Sequence, residues 1–154
     1  MEELKVKSIS RWVHDNIALV GLDNPRRSAY MTLRELIENS LDSCELGGYY
    51  PTIKVSIDQS NGEYIFQIND NGVGMKPDDV PTAFGVVLSS TKYVVRQSRG
   101  ILGIGGKGVV QLAYTTTQKP IVIATALPFS PTYRIYKLAI DIENNRPVIL
   151  QQVD

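Results

Sequence analysis

The segment from Asn24-Pro25 to Gly47-Gly48 constrains this chain more than any other. Asparagine followed by proline is a helix start, with a capping side chain and a proline at the first helical position, and the glycine pair is a stop. The helix is predicted to run to about Leu46. At about 100° per residue, Ala29, Leu33, Leu36, Ile37, Ser40 and Cys44 fall on one side, and Glu35, Glu38, Asn39 and Asp42 fall on the other. The second set is spaced i, i+3, i+4, i+7, so three carboxylates and one amide share a face. The apolar stripe is expected to anchor the helix while the polar set points away from the core.

The segments after this helix are strand-like. Thr52 to Asp58 alternates Ile53, Val55 and Ile57, Tyr64 to Ile68 alternates Tyr64, Phe66 and Ile68, and Asn61-Gly62 lies between them. That pattern predicts an antiparallel hairpin. Its second strand delivers Asp70 at the head of the run Asp70-Asn71-Gly72-Val73-Gly74-Met75. A short helix is expected over Asp78 to Phe84, then a long loop from Gly85 to Gly106, of a length usually tied to function. Lys107 to Tyr114 reads as a helix, and Ile121 to Thr125 and Tyr133 to Ile142 as strands closing a sheet. Before all of these, Ile9, Trp12, Val13, Ile17, Leu19 and Val20 suit a short amphipathic helix, or an arm that packs on a neighbour, ending at Gly21. The fold class is α+β, with helices on one face of a mixed, mostly antiparallel sheet.

Composition narrows the function. With 154 residues, one domain is the natural prior. Formal net charge is zero, which argues against a nucleic-acid footprint over the whole domain but not against DNA binding by a partner chain. The single cysteine, Cys44, excludes an internal disulfide and fits a reducing compartment or simple burial. One cysteine and one histidine, His14, argue against a zinc site. The first residues hold no apolar signal core, and no apolar run is long enough to span a bilayer, so a cytoplasmic location is expected, or a nuclear one in a eukaryote.

Each candidate segment has a plain reading beside the chemical one. The Glu35 face is either a solvated helix face or a site in which the Asn39 amide oxygen ligates Mg²⁺ while a carboxylate one turn away orients or deprotonates water. The Asp70 run is either an ordinary turn or a place where an acceptor-only carboxylate takes a hydrogen bond from the adenine amine, with Gly72 and Gly74 leaving room for the base. Arg99 to Gly108 holds five glycines and a lysine. It is either a flexible linker or a phosphate cradle whose N–H groups lead into a helix N-terminus. Gly103, Gly105 and Gly108 match a dinucleotide fingerprint in form only, because they follow the polar stretch Arg96-Gln97-Ser98-Arg99 rather than an apolar strand. Gly106-Lys107 is not a P-loop, since Ile101 occupies the first-glycine position and Gly108 the Ser/Thr position.

Taken jointly, these segments resemble the motifs of the GHKL superfamily, which comprises gyrase-type topoisomerases, heat-shock chaperones, MutL proteins and histidine kinases. Within it they are most like the B subunits of DNA topoisomerase VI. The stretches that carry the resemblance are Asp23 to Ser43, Asn69 to Met75, Val80 to Tyr93 and Arg96 to Gly108, and it reaches Lys119 to Thr125. It implies the Bergerat fold, a two-layer α/β sandwich, as an ATP-binding domain over residues 23–154, preceded by an arm or strap over residues 1–22. It implies ATP and Mg²⁺ as cofactors, with Glu35 as the general base and Asn39 as the Mg²⁺ ligand. By the same resemblance Asp70 binds the adenine amine beside Gly72 and Gly74, and Thr91 and Lys92 flank the nucleotide. Gly100, Ile101, Leu102, Gly103, Ile104, Gly105, Gly106 and Lys107 form the lid on the phosphates, and Thr125 supports the Asp70 region. Glu38 and Asp42 receive only supporting or electrostatic roles.

Departures from the family pattern are Ser89, where an aromatic residue is usual, Met75-Lys76 for Ile-Pro, and the extra glycines Gly106 and Gly108. The family's B subunits continue into a helical insert and a transducer that supplies a lysine to the γ-phosphate. This chain therefore reads as a fragment, an isolated domain or an unusually short homologue. The expected function is the ATPase module of a type II, topoisomerase VI-like enzyme, dimerising on ATP through the arm, with DNA and an A-type cleavage subunit as partners. The rival readings are a partner-binding homologue with little or no turnover and a histidine-kinase-type phosphotransferase.

Overall fold

The computed structural model describes residues 6–89 and 105–154. Ser8 caps helix α1 (Ile9–Asp15), its hydroxyl oxygen accepting a 3.0 Å hydrogen bond from the Arg11 N–H. A 3-10 turn (Ile17–Val20) ends at Gly21, whose φ is +74°. Helix α2 (Pro25–Gly47) starts as its sequence predicts: Asn24 Oδ1 accepts from the N–H groups of Arg26 at 3.0 Å and Arg27 at 3.3 Å. It ends against Gly48 at φ +68°.

Strands β1 (Lys54–Ser60) and β2 (Glu63–Asn69) form the expected hairpin, with Val55 opposite Ile68 and Ile57 opposite Phe66. Asn61 and Gly62, at φ +52° and +79°, supply the left-handed backbone that a two-residue turn requires. Beyond them lie a 3-10 turn (Pro77–Asp79), α3 (Val80–Gly85), α4 (Gly105–Thr117), β3 (Ile121–Thr125), β4 (Arg134–Asp141) and β5 (Arg146–Val153). Strand β5 is an addition to those expected. Among the described residues it pairs on one side only, with β4, which accommodates Pro147.

The class is α+β, as expected. Among the described residues the strands make two sheets, β1–β2 and β3–β4–β5, and every ladder is antiparallel. Met75, which runs beside the end of β3, bonds to the Thr125 hydroxyl through both its N–H and its C=O, each at 2.9 Å.

Helices cover one face of the three-stranded sheet. Alternate residues of β4 (Tyr136, Leu138 and Ile140) are buried and pack against Val13 of α1, Val80 and Phe84 of α3, Val87, and Val110 of α4. Val122 and Lys137, on the opposite face, are exposed. Helix α1 joins this core through polar bonds as well: buried Gln111 Nε2 donates to the Ser10 carbonyl at 3.2 Å and to its hydroxyl at 2.9 Å.

Helix α2 is buried most deeply at Ser40 and Cys44, which the expected stripe included, and at Ser28 and Thr32, which it did not. Its fully buried residues are Ser28, Thr32, Ser40 and Cys44, while Ala29, Leu33, Leu36 and Ile37 are half-buried. The small side chains Ser40, Ser43 and Cys44 let the turn after β2 approach the helix closely. Among the described residues no helix is long and apolar enough to cross a membrane.

Candidate functional site

The Asp70 turn is stitched to α2 along that line of small residues. Asp70 leaves the end of β2 on the surface, and both carboxylate oxygens are engaged. Oδ2 accepts from the Ser40 hydroxyl at 2.9 Å, and Oδ1 accepts from the Gly72 N–H at 2.9 Å. A serine on a buried helix face needs a partner, and Asp70 is that partner. Asn71 makes a second set of ties. Its Oδ1 accepts from the Thr52 N–H at 2.7 Å and from Cys44 Sγ at 3.3 Å, and its Nδ2 donates to the Tyr50 carbonyl at 3.1 Å.

Both glycines of the turn are required by packing. A Cβ at Gly72 would overlap the Ser43 side chain, and one at Gly74, where φ is +65°, would overlap the Ala126 carbonyl. At these two positions the side on which a Cβ would stand is occupied by Ser43 of α2 and by Ala126, just past β3. Thr125, buried, holds Met75 from the β3 side through its two main-chain bonds. Thr125, expected to support the Asp70 region, is thus bonded to Met75 at the far end of the turn.

On α2, Glu35 is half-buried, Asn39 is exposed, and Glu38 accepts from Arg34 Nε at 2.9 Å. That bond to Glu38 is the main cause of a raised Arg34 pKa, to which Glu35 adds a smaller attraction. Helix α4 brings its first turn against this face: a Cβ added to Gly106 would lie 3.4 Å from Asn39 Nδ2. Lys107, one residue on, is buried and donates through Nζ to the Ser89 carbonyl. Two sequence-distant parts thus meet α2 within residues 39–44: the N-terminus of α4 at Asn39, and the Asp70 turn at Ser40, Ser43 and Cys44.

Residues 24–118 match the family described as histidine kinase-, DNA gyrase B-, and HSP90-like ATPase, a stretch that contains α2 and both of these parts. The chain belongs to this ATPase family. It is also 45% identical over 140 residues to the B subunit of type 2 DNA topoisomerase 6 from Saccharolobus islandicus (strain L.S.2.15 / Lassen #1), the alignment covering 89% of this chain and 26% of that protein. The same figures hold for the B subunit from Saccharolobus solfataricus. The chain therefore spans about a quarter of the length of these curated relatives.

Several expected site residues, Thr91, Lys92, Gly100, Ile101, Leu102, Gly103 and Ile104, lie outside the described residues. Gly105 opens α4. Sequence reasoning passed over Ser40 and Asn71 as site-building residues. Their signals were a hydroxyl amid an apolar stripe and a side-chain amide in a turn, both of which call for partners.

Proposed function

We propose that this chain is the Mg²⁺-dependent ATP-binding and ATP-hydrolysing module of a topoisomerase VI-like enzyme. The observation that carries the reading is the meeting, on α2 at Asn39 and Ser40, of the first turn of α4 and the Ser40-bound Asp70, in a chain of this ATPase family. A carboxylate oxygen has more than one lone-pair site, so Asp70 can hold Ser40 and Gly72 and still accept the adenine amine. The Ser40 and Gly72 bonds fix the carboxylate's orientation before the base arrives. Glu35, a turn before Asn39, is the general base in this reading and takes a proton from the attacking water.

The donor set suits Mg²⁺: the Asn39 amide oxygen and the neighbouring carboxylates are hard oxygen ligands, and this ion commonly keeps waters besides one or two protein ligands. Asn39 would hold it, and when bound it neutralises phosphate charge. Gly105, Gly106 and the N-terminal turn of α4 offer N–H groups to phosphates, continuing the stretch Gly100 to Ile104. Thr91 and Lys92 are the proposed flanking contacts. Residues 1–22 act as an arm on the domain formed by residues 23–154 and help two copies to dimerise when ATP is bound. DNA and a separate A-type cleavage subunit complete the proposed assembly, in the cytoplasm or, in a eukaryote, the nucleus.

Calorimetry with Mg·ATP, paired with a turnover assay, tests the reading on the wild type and on Glu35→Ala. The variant is expected to bind as the wild type does and to lose turnover by roughly 10²- to 10⁴-fold, the range for a general base. Hydrolysis at the parental rate would remove Glu35 from this role. A folded wild type that binds no nucleotide would end the proposal altogether.

A further inference from the structure

The chain just after α3 is held by a residue that the nucleotide reading does not use. Gly85 packs directly on the start of β5, where a Cβ would come within 2.6 Å of the Pro147 Cα. Val87, 2% exposed, has both main-chain polar groups bound by one side chain. Asn145 Oδ1 accepts its N–H at 2.8 Å, and Asn145 Nδ2 donates to its C=O at 3.3 Å. Asn145 lies in the β4–β5 turn at φ +51°, a backbone state that glycine, asparagine and aspartate adopt at least cost. Asp141 pins that turn, accepting from the Asn144 N–H at 3.1 Å and Nδ2 at 2.8 Å, and from Arg146 at 3.2 Å.

From Val87 the contacts lead to the site. Leu88 has φ +63°, a conformation that a leucine keeps only where its neighbours impose it. The next residue, Ser89, receives the Lys107 ammonium on its carbonyl, and Gly106 stands beside Asn39. Asn145, Val87, Ser89, Lys107 and Asn39 thus form one path from the far hairpin to the acid–amide face of α2.

We propose that Asn145 is a positioning residue of the nucleotide site: by holding the Val87–Ser89 main chain it helps to set Lys107, and with it the first turn of α4 beside Asn39. The inference rests on the nucleotide reading above and adds a residue beyond the stretch 24–118 that matches the family. A buried ammonium stays in place only while its acceptors do. Ser89 is also tied back to the end of α3, its hydroxyl donating to the Thr82 carbonyl at 2.6 Å and to the Val86 carbonyl at 2.8 Å. Asn145 and these bonds together set the carbonyl that receives Lys107, and releasing Val87 loosens one of the two holds.

The test titrates the full chain with Mg·ATP in a calorimeter, as wild type, Asn145→Gly and Asn145→Asp. Glycine keeps the backbone conformation and removes both bonds, while aspartate keeps the acceptor for the Val87 N–H and loses the donor. Asn145→Gly is expected to weaken Kd about tenfold, the scale set by unpairing a buried main-chain group, with Asn145→Asp falling between it and the wild type. A purely structural role would lower the melting temperature and the fraction of chains that bind, leaving Kd of the folded fraction unchanged. That result overturns the proposal. Should Asn145→Gly not fold, the Kd of Asn145→Asp decides alone. A wild type that binds no Mg·ATP overturns the nucleotide reading, and the positioning role with it.

Discussion

Two regions of this molecule are built by different physics. Around β4 the chain is held by apolar burial, with Val13, Val87, Val110 and Ile140 in one cluster and Val80, Tyr136 and Leu138 in another. Around Asp70 it is held by directed polar bonds: Ser40 to Asp70, Asn71 to Tyr50 and Thr52, and Thr125 to Met75. Apolar contacts tolerate small displacements, whereas a hydrogen bond weakens steeply with angle and distance. A turn that holds a carboxylate in one orientation therefore gains more from the second kind. The core carries stability, and the polar ties carry aim.

The sharpest way to break this contrast is at the two ends of the scale. Leu138→Ala, in the apolar region, is expected to cost about 2–5 kcal/mol of unfolding free energy by denaturant titration, as for fully buried leucines elsewhere. Its Mg·ATP affinity, measured on the folded fraction, should stay near the wild-type value. A large loss of affinity with little loss of stability would erase the division of labour.

At Asp70 and Ser40 the effects should reverse. Asp70→Ala should weaken Mg·ATP binding by about 1.5–3 kcal/mol, the range for a bond to a charged group, and Ser40→Ala should weaken it less. Equal losses in the two variants would mean that Asp70 matters only as a tie to α2. Thr125→Val, which keeps the shape but removes a hydroxyl bonded twice to Met75, should lower stability by about 1–2 kcal/mol. An unchanged denaturation midpoint would show that the turn holds without its clamp.

The smallest effect is a pH dependence of the β4–β5 turn. The Asn144 side chain, its N–H and Arg146 hold the Asp141 carboxyl below its usual value of 3.8. Because the folded-state pKa is the lower one, this stabilisation is fully present above the unfolded value and fades as pH falls through the folded one. Melting curves between about pH 6 and pH 3 should show a shallow decline that Asp141→Asn reduces. A variant with the full decline would assign it to other carboxylates.

Much of the fold was legible in local pattern. Asn24-Pro25 and Gly47-Gly48 bounded α2, Asn61-Gly62 closed the hairpin, and Ile121 to Thr125 became β3 residue for residue. Strand β5 was not legible, because it has an early proline and polar residues near its end. The burial of α2 was legible at Ser40 and Cys44 but not at Ser28 and Thr32, for a related reason. Periodicity weighs apolar side chains, but the packed line runs through Ser28, Thr32, Ser40 and Cys44, where close approach matters more than hydrophobicity.

By itself the sequence determined which chemical groups are on hand and the short-range elements that carry them, since capping, turn geometry and residue spacing are local properties. It also placed the chain's motifs beside one ATPase family, which the match over residues 24–118 bears out. Only the tertiary structure decided that Ser40 orients Asp70, that the two glycines of the turn serve packing, and that Asn145 reaches back to Val87. Those contacts join residues 30 and 58 positions apart. Whether such groups meet depends on how helices and sheets pack, which no local pattern encodes.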